Sequence, residues 1–422
     1  MTPAAPLAHA LRDAARVVAR VAAGRSLADE FGRHAPGPAR AALIDLTHGT
    51  LRRYGRVQAL VGELARRGRP HEVVEALLWC SFYAVESGRY ADYTVVDQAV
   101  RACGLLEHWS AKGFVNAVLR TYLRERGSLD TRIATDVQAR YQHPAWWIAL
   151  LREAYPERWT DALSAGNSHP PMTLRVNRRR AETTDYAAAL AAAGIAAERV
   201  GEAALTLALP VPVERLPGFA EGLASVQDAG AQRAAGCLDL APGQRVLDAC
   251  AAPGGKSAHI LEQADVALTA LDIDASRAAR MEVNLARLGL AAQVRAADAT
   301  DARAWWDGKP FERILLDAPC SSSGVARRHP DLKWLRRASD VPAFALRQAR
   351  LLDALWHVLS PGGKLLYVTC SVFPGENEAV VTEFLARTPG AKPLPLPDGA
   401  PALMLPGPRH DGFYYALLTK QA

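Results

Sequence analysis

Three consecutive runs decide the fold of the carboxyl-terminal half of the chain: Arg245-Val-Leu-Asp-Ala249, Cys250-Ala-Ala-Pro-Gly-Gly-Lys256 and Ser257-Ala-His-Ile-Leu261. They are an apolar strand, a turn of small residues and the start of a helix. A strand, a glycine turn and a helix N-terminus form a cofactor cradle in doubly wound α/β folds. The predicted cofactor-binding residues of this turn are Cys250, Ala251, Ala252, Pro253, Gly254, Gly255 and Lys256.

The composition of the turn excludes two common cofactor classes. A Walker loop needs glycine five residues before Gly255-Lys256-Ser257, and this chain has Cys250 there. The dinucleotide fingerprint Gly-x-Gly-x-x-Gly is absent, and Pro253 interrupts the turn. A cofactor without a pyrophosphate is therefore expected.

Acidic residues follow the strands predicted after the turn. Asp272, Asp298 and Asp317 come directly after or close behind apolar runs at 267–271, 293–296 and 313–316. Ligands bind at the carboxyl edge of such sheets, although a lone aspartate after a strand is often only a turn or cap. An acidic rim suits a nucleoside with a positive centre, such as S-adenosylmethionine, with Asp272 on its ribose and Asp298 on its adenine. Asp317 is the third carboxylate predicted to bind the cofactor.

Two cysteines, Cys320 and Cys370, each follow an apolar strand in the same half of the chain. This pair suggests covalent chemistry on a pyrimidine. Carbon-5 of cytosine is too electron-poor to attack a methyl sulfonium unaided, and a thiolate that adds at carbon-6 converts the ring into an enamine. Thiolate reactivity depends on the local pKa, so the residues alone leave open which cysteine attacks.

The motifs around these cysteines resemble those of the Sun-type RNA cytosine-5 methyltransferases. They are Asp248-x-Cys-Ala-Ala-Pro-Gly-Gly-Lys256, Asp317-Ala-Pro-Cys-Ser-Ser-Ser-Gly324 and Thr369-Cys-Ser371. The resemblance covers residues 230–422. It implies S-adenosylmethionine as cofactor, Cys370 as nucleophile and Cys320 as the residue that assists breakdown of the adduct. It also implies that Asp317 holds the target base and that Lys256 supports the pocket.

The amino-terminal part is predicted to be a helical domain that binds RNA. Apolar residues recur at helical spacing through residues 1–128, and residues 1–126 hold 18 Lys or Arg against 12 Asp or Glu. Ile44-Asp-Leu-Thr-His-Gly-Thr-Leu-Arg52 and Lys112-Gly-Phe-Val-Asn-Ala-Val-Leu-Arg120 are similar to the NusB-type RNA-binding domain. In bacteria this pairing of domains implies a cytosine of 16S rRNA as the target. The candidate RNA-binding residues are Arg52, Arg53, Arg56, Arg327, Arg328 and His329, the last three expected at the mouth of the active site.

The expected architecture is therefore multidomain. Residues 1–128 form an all-α NusB-like domain, residues 129–232 a small α/β connecting subdomain, and residues 233–422 an α/β Rossmann-like class I methyltransferase domain. The length of 422 residues and a hydrophobic content of 50% allow separate cores.

Several function classes are disfavoured by the sequence. The six cysteines contain no Cys-x-x-Cys pair, so no metal is expected. No run of eighteen apolar residues exists, and no segment resembles a cleavable signal, so we expect a cytoplasmic monomer without membrane contact. One alternative is a cytosine-5 methyltransferase of transfer RNA or another ribosomal site. A second alternative is a non-enzymatic RNA-binding or ribosome assembly factor.

Overall fold

The computed structural model divides the chain into two compact units, which we call the helical unit and the sheet unit. The described residues are 7–32, 39–65 and 68–421. The helical unit comprises residues 1–169 and 326–338, and the sheet unit comprises residues 170–325 and 339–422. The predicted connecting region is thus divided, because residues 129–169 fold with the helical unit.

The helical unit is built around a buried central helix. Its amino-terminal helices are α1 (Leu7–Ala22), α2 (Leu27–Gly32), α3 (Arg40–Arg52), α4 (Tyr54–Leu64), α5 (Glu72–Glu86), α6 (Asp92–Leu105), α7 (Lys112–Ile133), α8 (Val137–Tyr141), α9 (Ala145–Ala154) and α10 (Trp159–Asn167). Residues 74–85 of α5 are all buried, which matches its nearly continuous apolar sequence. α1 instead buries one face, including Leu11, Ala14 and Val18, at the helical spacing seen in the sequence.

The sheet unit begins with a small antiparallel sheet. Its elements are β1 (Thr173–Val176), α11 (Thr183–Ala192), β2 (Ala197–Arg199), β3 (Ala204–Leu207) and β4 (Ala224–Val226). The strand order is β2-β3-β1-β4, and Leu174 lies opposite Leu205 on one side and Val226 on the other. Leu174 and Leu205 pack with Tyr186 of α11 in a separate hydrophobic core. The predicted α/β connecting subdomain is therefore present.

A larger, mostly parallel sheet follows. Its elements are α12 (Ala229–Cys237), β5 (Arg245–Ala249), α13 (Gly255–Gln263), β6 (Ala267–Asp272), α14 (Ala275–Leu288), β7 (Gln293–Ala296), α15 (Ala302–Trp305), β8 (Phe311–Asp317), α16 (Leu332–Leu335), α17 (Asp340–Val358), β9 (Leu359–Thr369), α18 (Glu378–Arg387), β10 (Ala391–Leu394), β11 (Leu403–Met404) and β12 (Phe413–Lys420). Of these, α16 belongs to the helical unit.

The strand order of this sheet is β10-β12-β9-β8-β5-β6-β7, with β11 paired to β12. β5 to β9 run parallel to one another, and β12 is antiparallel to β9. The central strands are apolar and buried, as expected for a sheet covered on both faces. Because parallel strands end at the same edge, the residues that follow β5, β6, β8 and β9 lie along one crevice. The predicted Rossmann-like fold is confirmed.

Residues 326–338 form part of the helical unit, although they follow the Cys320 loop in sequence. Lys333 is fully buried, and its ammonium donates to the carbonyl oxygens of Arg52 and Gln142 and to Oδ1 of Asn167 at 2.8–3.1 Å. The indole N–H of Trp334 donates to the carbonyl of Leu51 at 3.0 Å. These bonds satisfy carbonyl groups near the ends of helices, so the segment completes the helical core. Among the described residues, no helix is long and apolar enough to cross a membrane.

Candidate active site

The glycine turn after β5 is held by backbone hydrogen bonds to the end of β6. The Ala251 N–H donates to the carbonyl of Leu271 at 2.7 Å, and the Ala252 N–H donates to Oδ2 of Asp272 at 3.1 Å. Gly254 has a φ of +90°, and a Cβ there would lie 2.5 Å from the Met281 side chain. Both the backbone conformation and the lack of space therefore require glycine. The turn leads directly into the N-terminus of α13.

Asp248 is a buried carboxylate that the sequence prediction did not include. It lies on β5 beneath the turn and accepts a hydrogen bond from the Ser257 hydroxyl at 2.5 Å through Oδ2. Its Oδ1 is buried and has no hydrogen-bond partner in the described part of the chain. Burial raises the pKa of Asp248 to about 7, and the charges of Asp317 and Asp272 add to this effect. The edge of the sheet is thus strongly acidic.

The two predicted nucleoside carboxylates differ in their surroundings. Asp272 is buried, and its Oδ1 accepts from the Asp274 N–H at 3.0 Å while Arg277 lies 3.7 Å away. Asp298 is exposed, and its Oδ1 accepts from the backbone N–H and the hydroxyl of Thr300. Asp272 therefore braces the glycine turn, whereas Asp298 forms a local turn at the same edge. Ligand contacts by either residue stay a prediction.

Lys256 and Asp317 form an ion pair at the predicted site. The Lys256 Nζ lies 2.6 Å from Oδ2 of Asp317, which joins the start of α13 to the end of β8. Burial disfavours the ammonium, but the carboxylate of Asp317 more than offsets it, and the pKa of Lys256 stands above its usual range. The ammonium also lies 5.8 Å from the centre of the Phe413 ring. The arrangement presents a carboxylate with a fixed orientation to the crevice.

The structure brings Cys320 and Cys370 together. They follow the adjacent parallel strands β8 and β9, and their sulfur atoms are 3.4 Å apart. Both are free thiols, with Cys320 buried and Cys370 partly exposed. The Gly324 N–H donates to the carbonyl of Cys370 at 2.8 Å, which fixes one loop against the other. Two juxtaposed thiols beside a lysine and a carboxylate are suited to nucleophilic chemistry.

The surroundings of the two thiols favour the thiolate on Cys370. The hydrogen bond from the Cys320 thiol lowers the pKa of Cys370, and Ser322 and the Lys256 ammonium act in the same direction. Burial and the charge of Asp317 oppose this effect without cancelling it. The same hydrogen bond, burial and the charge of Glu376 raise the pKa of Cys320 well above its usual range. Cys250 is also partly exposed, but burial and the neighbouring carboxylates raise its pKa to about 12. Cys370 is thus the most readily ionised thiol of the three.

Further residues of the site are visible only in three dimensions. Gly324 and Gly412 approach so closely that a Cβ on Gly324 would lie 2.2 Å from the Gly412 carbonyl oxygen. Glu376 is fully buried and accepts hydrogen bonds from Ser321 and Ser371, the residues that follow the two cysteines. Gly324 closes the Asp317 motif, but its contact with Gly412, 88 residues further along the chain, is not encoded by local spacing. Among the described residues, no cluster of potential metal ligands is found.

Several residues that were expected to face RNA are buried or bonded within the helical unit. Arg327 is 1% exposed, which corrects its assignment as a residue that faces RNA. The Arg52 guanidinium donates to the Arg327 carbonyl at 2.9 and 3.1 Å, and its contact with RNA stays a prediction. Arg53 and Arg56 both pair with Glu86 at 2.8–2.9 Å.

Each of these four arginines is buried or has an internal partner within the helical unit, and contact of Arg53 and Arg56 with RNA stays a prediction. Arg328 is half-buried and His329 is exposed. Their contact with RNA stays a prediction. Both residues belong to segment 326–338 of the helical unit rather than to the sheet unit.

A parallel Rossmann-like sheet with a glycine turn, an acidic edge and paired thiols defines a methyltransferase domain, here joined to a helical domain and a small antiparallel sheet. Models of three families match in this order: the NusB family at residues 12–124, the ferredoxin-like domain of RsmF/B-like methyltransferases at residues 143–214, and 16S rRNA methyltransferase RsmB/F at residues 235–419. The chain belongs to the ribosomal RNA small subunit methyltransferase B family.

Similar proteins support this membership. The ribosomal RNA small subunit methyltransferase B of Pseudomonas putida is 47% identical over 90% of each chain. The protein of the same name from Vibrio cholerae is 44% identical and covers 90% of this chain and 89% of its own length. A solved methyltransferase homolog protein from Pyrococcus horikoshii is 28% identical, covers 68% of this chain and 97% of its own, and has a TM-score of 0.59.

Proposed function

We propose that the protein methylates carbon-5 of a cytosine in 16S rRNA, with S-adenosylmethionine as methyl donor and Cys370 as covalent nucleophile. The observation that carries the proposal is the pair of thiols 3.4 Å apart at the ends of adjacent parallel strands, beside Lys256 and Asp317. Two thiols in one crevice have no role in a simple transfer to an exocyclic nitrogen. They suit a reaction in which one sulfur forms a bond and the other modulates it.

The residues of the crevice fit the proposed cofactor. A sulfonium is positive, and Asp248, Asp272 and Asp317 make this edge acidic. The buried Oδ1 of Asp248 has no described partner, so a donor group of a ligand would satisfy it. The turn from Cys250 to Lys256 and the carboxylate of Asp272 would hold the nucleoside. When bound, S-adenosylmethionine supplies an electrophilic methyl group to the crevice.

Covalent attack begins at the Cys370 sulfur. Its thiolate adds to carbon-6 of the cytosine and makes carbon-5 nucleophilic. Carbon-5 would then take the methyl group as the bond from that methyl to the sulfonium breaks, with the bonding electron pair left on the donor sulfur. The Asp317 carboxylate accepts a hydrogen bond from the amino group of the base, or from its ring nitrogen once that nitrogen is protonated, and Lys256 fixes the orientation of Asp317 through their 2.6 Å contact. A charged hydrogen bond to the base at this position favours the polarised ring that invites attack at carbon-6.

Breakdown of the adduct restores the enzyme. A base takes the carbon-5 proton, the electron pair of that C–H bond re-forms the ring double bond, and the Cys370 sulfur leaves carbon-6 as a thiolate. The Cys320 thiol, 3.4 Å from that sulfur, stabilises the departing thiolate by donating a hydrogen bond. The same hydrogen bond lowers the pKa of Cys370 before attack, so Cys320 assists both ends of the covalent cycle and its loss should slow product release.

The RNA substrate is proposed from the family and from the helical domain. A base within a helix cannot reach a thiol in a crevice, so the target nucleotide must be extruded or already unpaired. The names of the relatives and the NusB-family match favour ribosomal RNA of the small subunit. This substrate places the reaction in the cytoplasm. Transfer RNA or another ribosomal cytosine is the competing substrate, and an assembly factor without activity is disfavoured by the intact thiol pair.

Transfer of labelled methyl groups tests the proposal. Purified protein is given labelled S-adenosylmethionine with unmethylated 16S rRNA or with transfer RNA, and the product nucleosides are separated. We expect label in 5-methylcytosine at one position of 16S rRNA. Label on transfer RNA alone would overturn the substrate, and label on an exocyclic nitrogen would overturn the chemistry.

A further inference from the structure

One carboxylate, that of Glu376, contacts the loops that carry both cysteines. Its Oε1 accepts from the Ser321 N–H at 2.7 Å, and its Oε2 accepts from the Ser321 hydroxyl at 2.5 Å and the Ser371 hydroxyl at 2.6 Å. Ser321 directly follows Cys320, and Ser371 directly follows Cys370. Glu376 therefore cross-links the two loops one residue away from each sulfur.

Neighbouring hydroxyl groups extend this cross-link. The hydroxyls of Ser323 and Ser371 are 3.0 Å apart, and Ser323 Oγ accepts from the Val372 N–H at 2.9 Å. The Tyr367 hydroxyl donates to the Glu376 carbonyl at 2.7 Å, which anchors the segment to β9. All of these groups are buried. A fully bonded buried network of this kind restricts the separation of the two loops.

The charge of Glu376 is unusual for so buried a position. The side-chain contacts of its carboxylate within the described chain are to neutral donors, namely Ser321, Ser371 and Gln348 at 3.4 Å. Burial raises its pKa, and the hydrogen bonds from the serines oppose that rise. A buried carboxylate without a cation is costly unless several donors bond to it. The serine hydroxyls and the Ser321 N–H are the donors that offset the cost of burial here, so the carboxylate and the two cysteine loops are coupled through them.

The two sulfurs experience that charge differently. The Glu376 charge raises the pKa of Cys320, whereas Cys370 faces the Lys256 ammonium and the Ser322 hydroxyl. Asp317 acts on Cys370 in the opposite direction to Lys256, and Tyr367 lies close enough to Cys320 for their charges to interact. Within the described part of the chain, these groups and the partner thiol are the titratable groups with the largest effects on the pair. Among them, Glu376 is the one that disfavours ionisation at Cys320 and also touches both loops.

We propose that Glu376 is a positioning residue that fixes the separation of the Cys320 and Cys370 loops and keeps the shared thiol proton on Cys320. It touches neither substrate nor cofactor. This inference rests on the proposed function in one respect: the proposed function makes Cys370 the nucleophile, and Glu376 would explain why Cys320 is not. The unequal reactivity that it predicts for the two adjacent thiols can be measured without RNA.

Alkylation of the full chain tests the proposal independently of methyl transfer. Reduced protein is treated with iodoacetamide over a range of pH, and mass spectrometry of the peptides gives the labelling rates of Cys320 and Cys370. We expect unmodified protein to label Cys370 first. In Glu376→Gln the ratio of Cys370 to Cys320 labelling should fall by about tenfold, the change that one unit of pKa produces. Glu378→Gln, an exposed glutamate two residues away, is the matched control and should keep the original ratio.

A second variant separates geometry from charge. Ser371→Ala removes one donor of the cross-link, while Ser321 still donates to the Glu376 carboxylate through its N–H and its hydroxyl. The labelling ratio should therefore stay within about twofold, while kcat for methyl transfer falls by about tenfold at unchanged cofactor KM. If Glu376→Gln unfolds at a much lower temperature than the unmodified protein, the Ser371→Ala variant still tests the cross-link. An unchanged labelling ratio and pH profile in folded Glu376→Gln would overturn the proposal. Absence of methyl transfer by unmodified protein would instead overturn the proposed function, and the labelling result would stand.

Discussion

Lys256 of the sheet unit and Lys333 of the helical unit are both withdrawn from solvent, yet their environments are opposite. Lys256 faces the carboxylate of Asp317 at 2.6 Å, and its pKa stands above the usual range. Lys333 donates to three neutral oxygens, and burial together with the charge of Arg52 lowers its pKa well below the usual range. The difference shows that the partner of a buried lysine, and not its burial, indicates its role. An ion pair at a crevice orients a reacting group, whereas neutral acceptors mark a structural cross-link.

The largest expected effect is on activity when the crevice lysine is replaced. Lys256→Met removes the cation that orients Asp317 and favours the Cys370 thiolate, so kcat should fall by about a hundredfold or more. The midpoint of thermal unfolding should change little. Lys364→Met, which removes a partly exposed lysine paired with Asp239, serves as the control and should retain kcat. If Lys256→Met kept the kcat of the unmodified protein, Lys256 would have no part in the reaction.

Replacing the structural lysine should have the reverse pattern. Lys333→Met leaves three partly buried oxygens without this donor, so the free energy of unfolding should fall by about 1–3 kcal/mol. Urea denaturation measures this loss, and kcat of the folded fraction should stay within about twofold. If stability were unchanged and kcat fell, the two lysines would have the same role and the comparison would fail.

Asp248, the buried carboxylate on β5, adds a third buried charged group to the comparison of the two lysines. Its protonation should make the free energy of unfolding depend on pH. Burial raises the pKa of Asp248 to about 7, and the unfolded value is about 3.9. The folded protein therefore binds more protons between these pH values, so the contribution of this group to stability falls as pH rises through this window.

Asp248→Asn should remove that slope, which is at most about 1.4 kcal/mol per pH unit. Urea unfolding without added cofactor, at several pH values between about 4 and 7, measures it. An identical slope in the variant would mean that Asp248 is ionised throughout this range.

The smallest expected effect concerns RNA contact by the helical unit. Arg328→Ala should weaken RNA binding modestly and reduce the slope of log Kd against log salt by about one if Arg328 neutralises a phosphate. Arg53→Ala is the comparison, because that guanidinium is paired with Glu86 and should leave the slope unchanged. Equal slopes for both variants and the unmodified protein would place the RNA elsewhere.

The sheet unit was predictable from its sequence because its signals are local. The predicted strand at 245–249 has the same bounds as β5, and the glycine turn starts a helix as expected. Parallel topology then brings residues after β8 and β9 to one edge, so the proximity of Cys320 and Cys370 followed from two short motifs. The family resemblance and the multidomain fold class are confirmed by the relatives and the family models.

Tertiary features escaped the prediction. Residues 327–329 were expected at the mouth of the active site because they follow the Asp317 motif, and that placement stays a prediction. The sequence did not indicate that Asp331, Lys333 and Trp334, a few residues further on, bond within the helical unit. Glu376 was overlooked because Pro374-Gly-Glu376 has the composition of an exposed turn. Its burial depends on donors from a loop 55 residues away, a contact that no local pattern encodes.

The covalent role of Cys370 is the central claim, and trapping the protein–RNA adduct tests it most directly. Cys320→Ala and Cys370→Ala proteins are incubated with S-adenosylmethionine and unmethylated 16S rRNA, and the mixtures are run on a denaturing gel. We predict a slowly migrating adduct with Cys320→Ala, because Cys370 attacks but leaves slowly, and none with Cys370→Ala, which should also lack methyl transfer. An adduct formed by Cys370→Ala would contradict the account and assign the attack to Cys320.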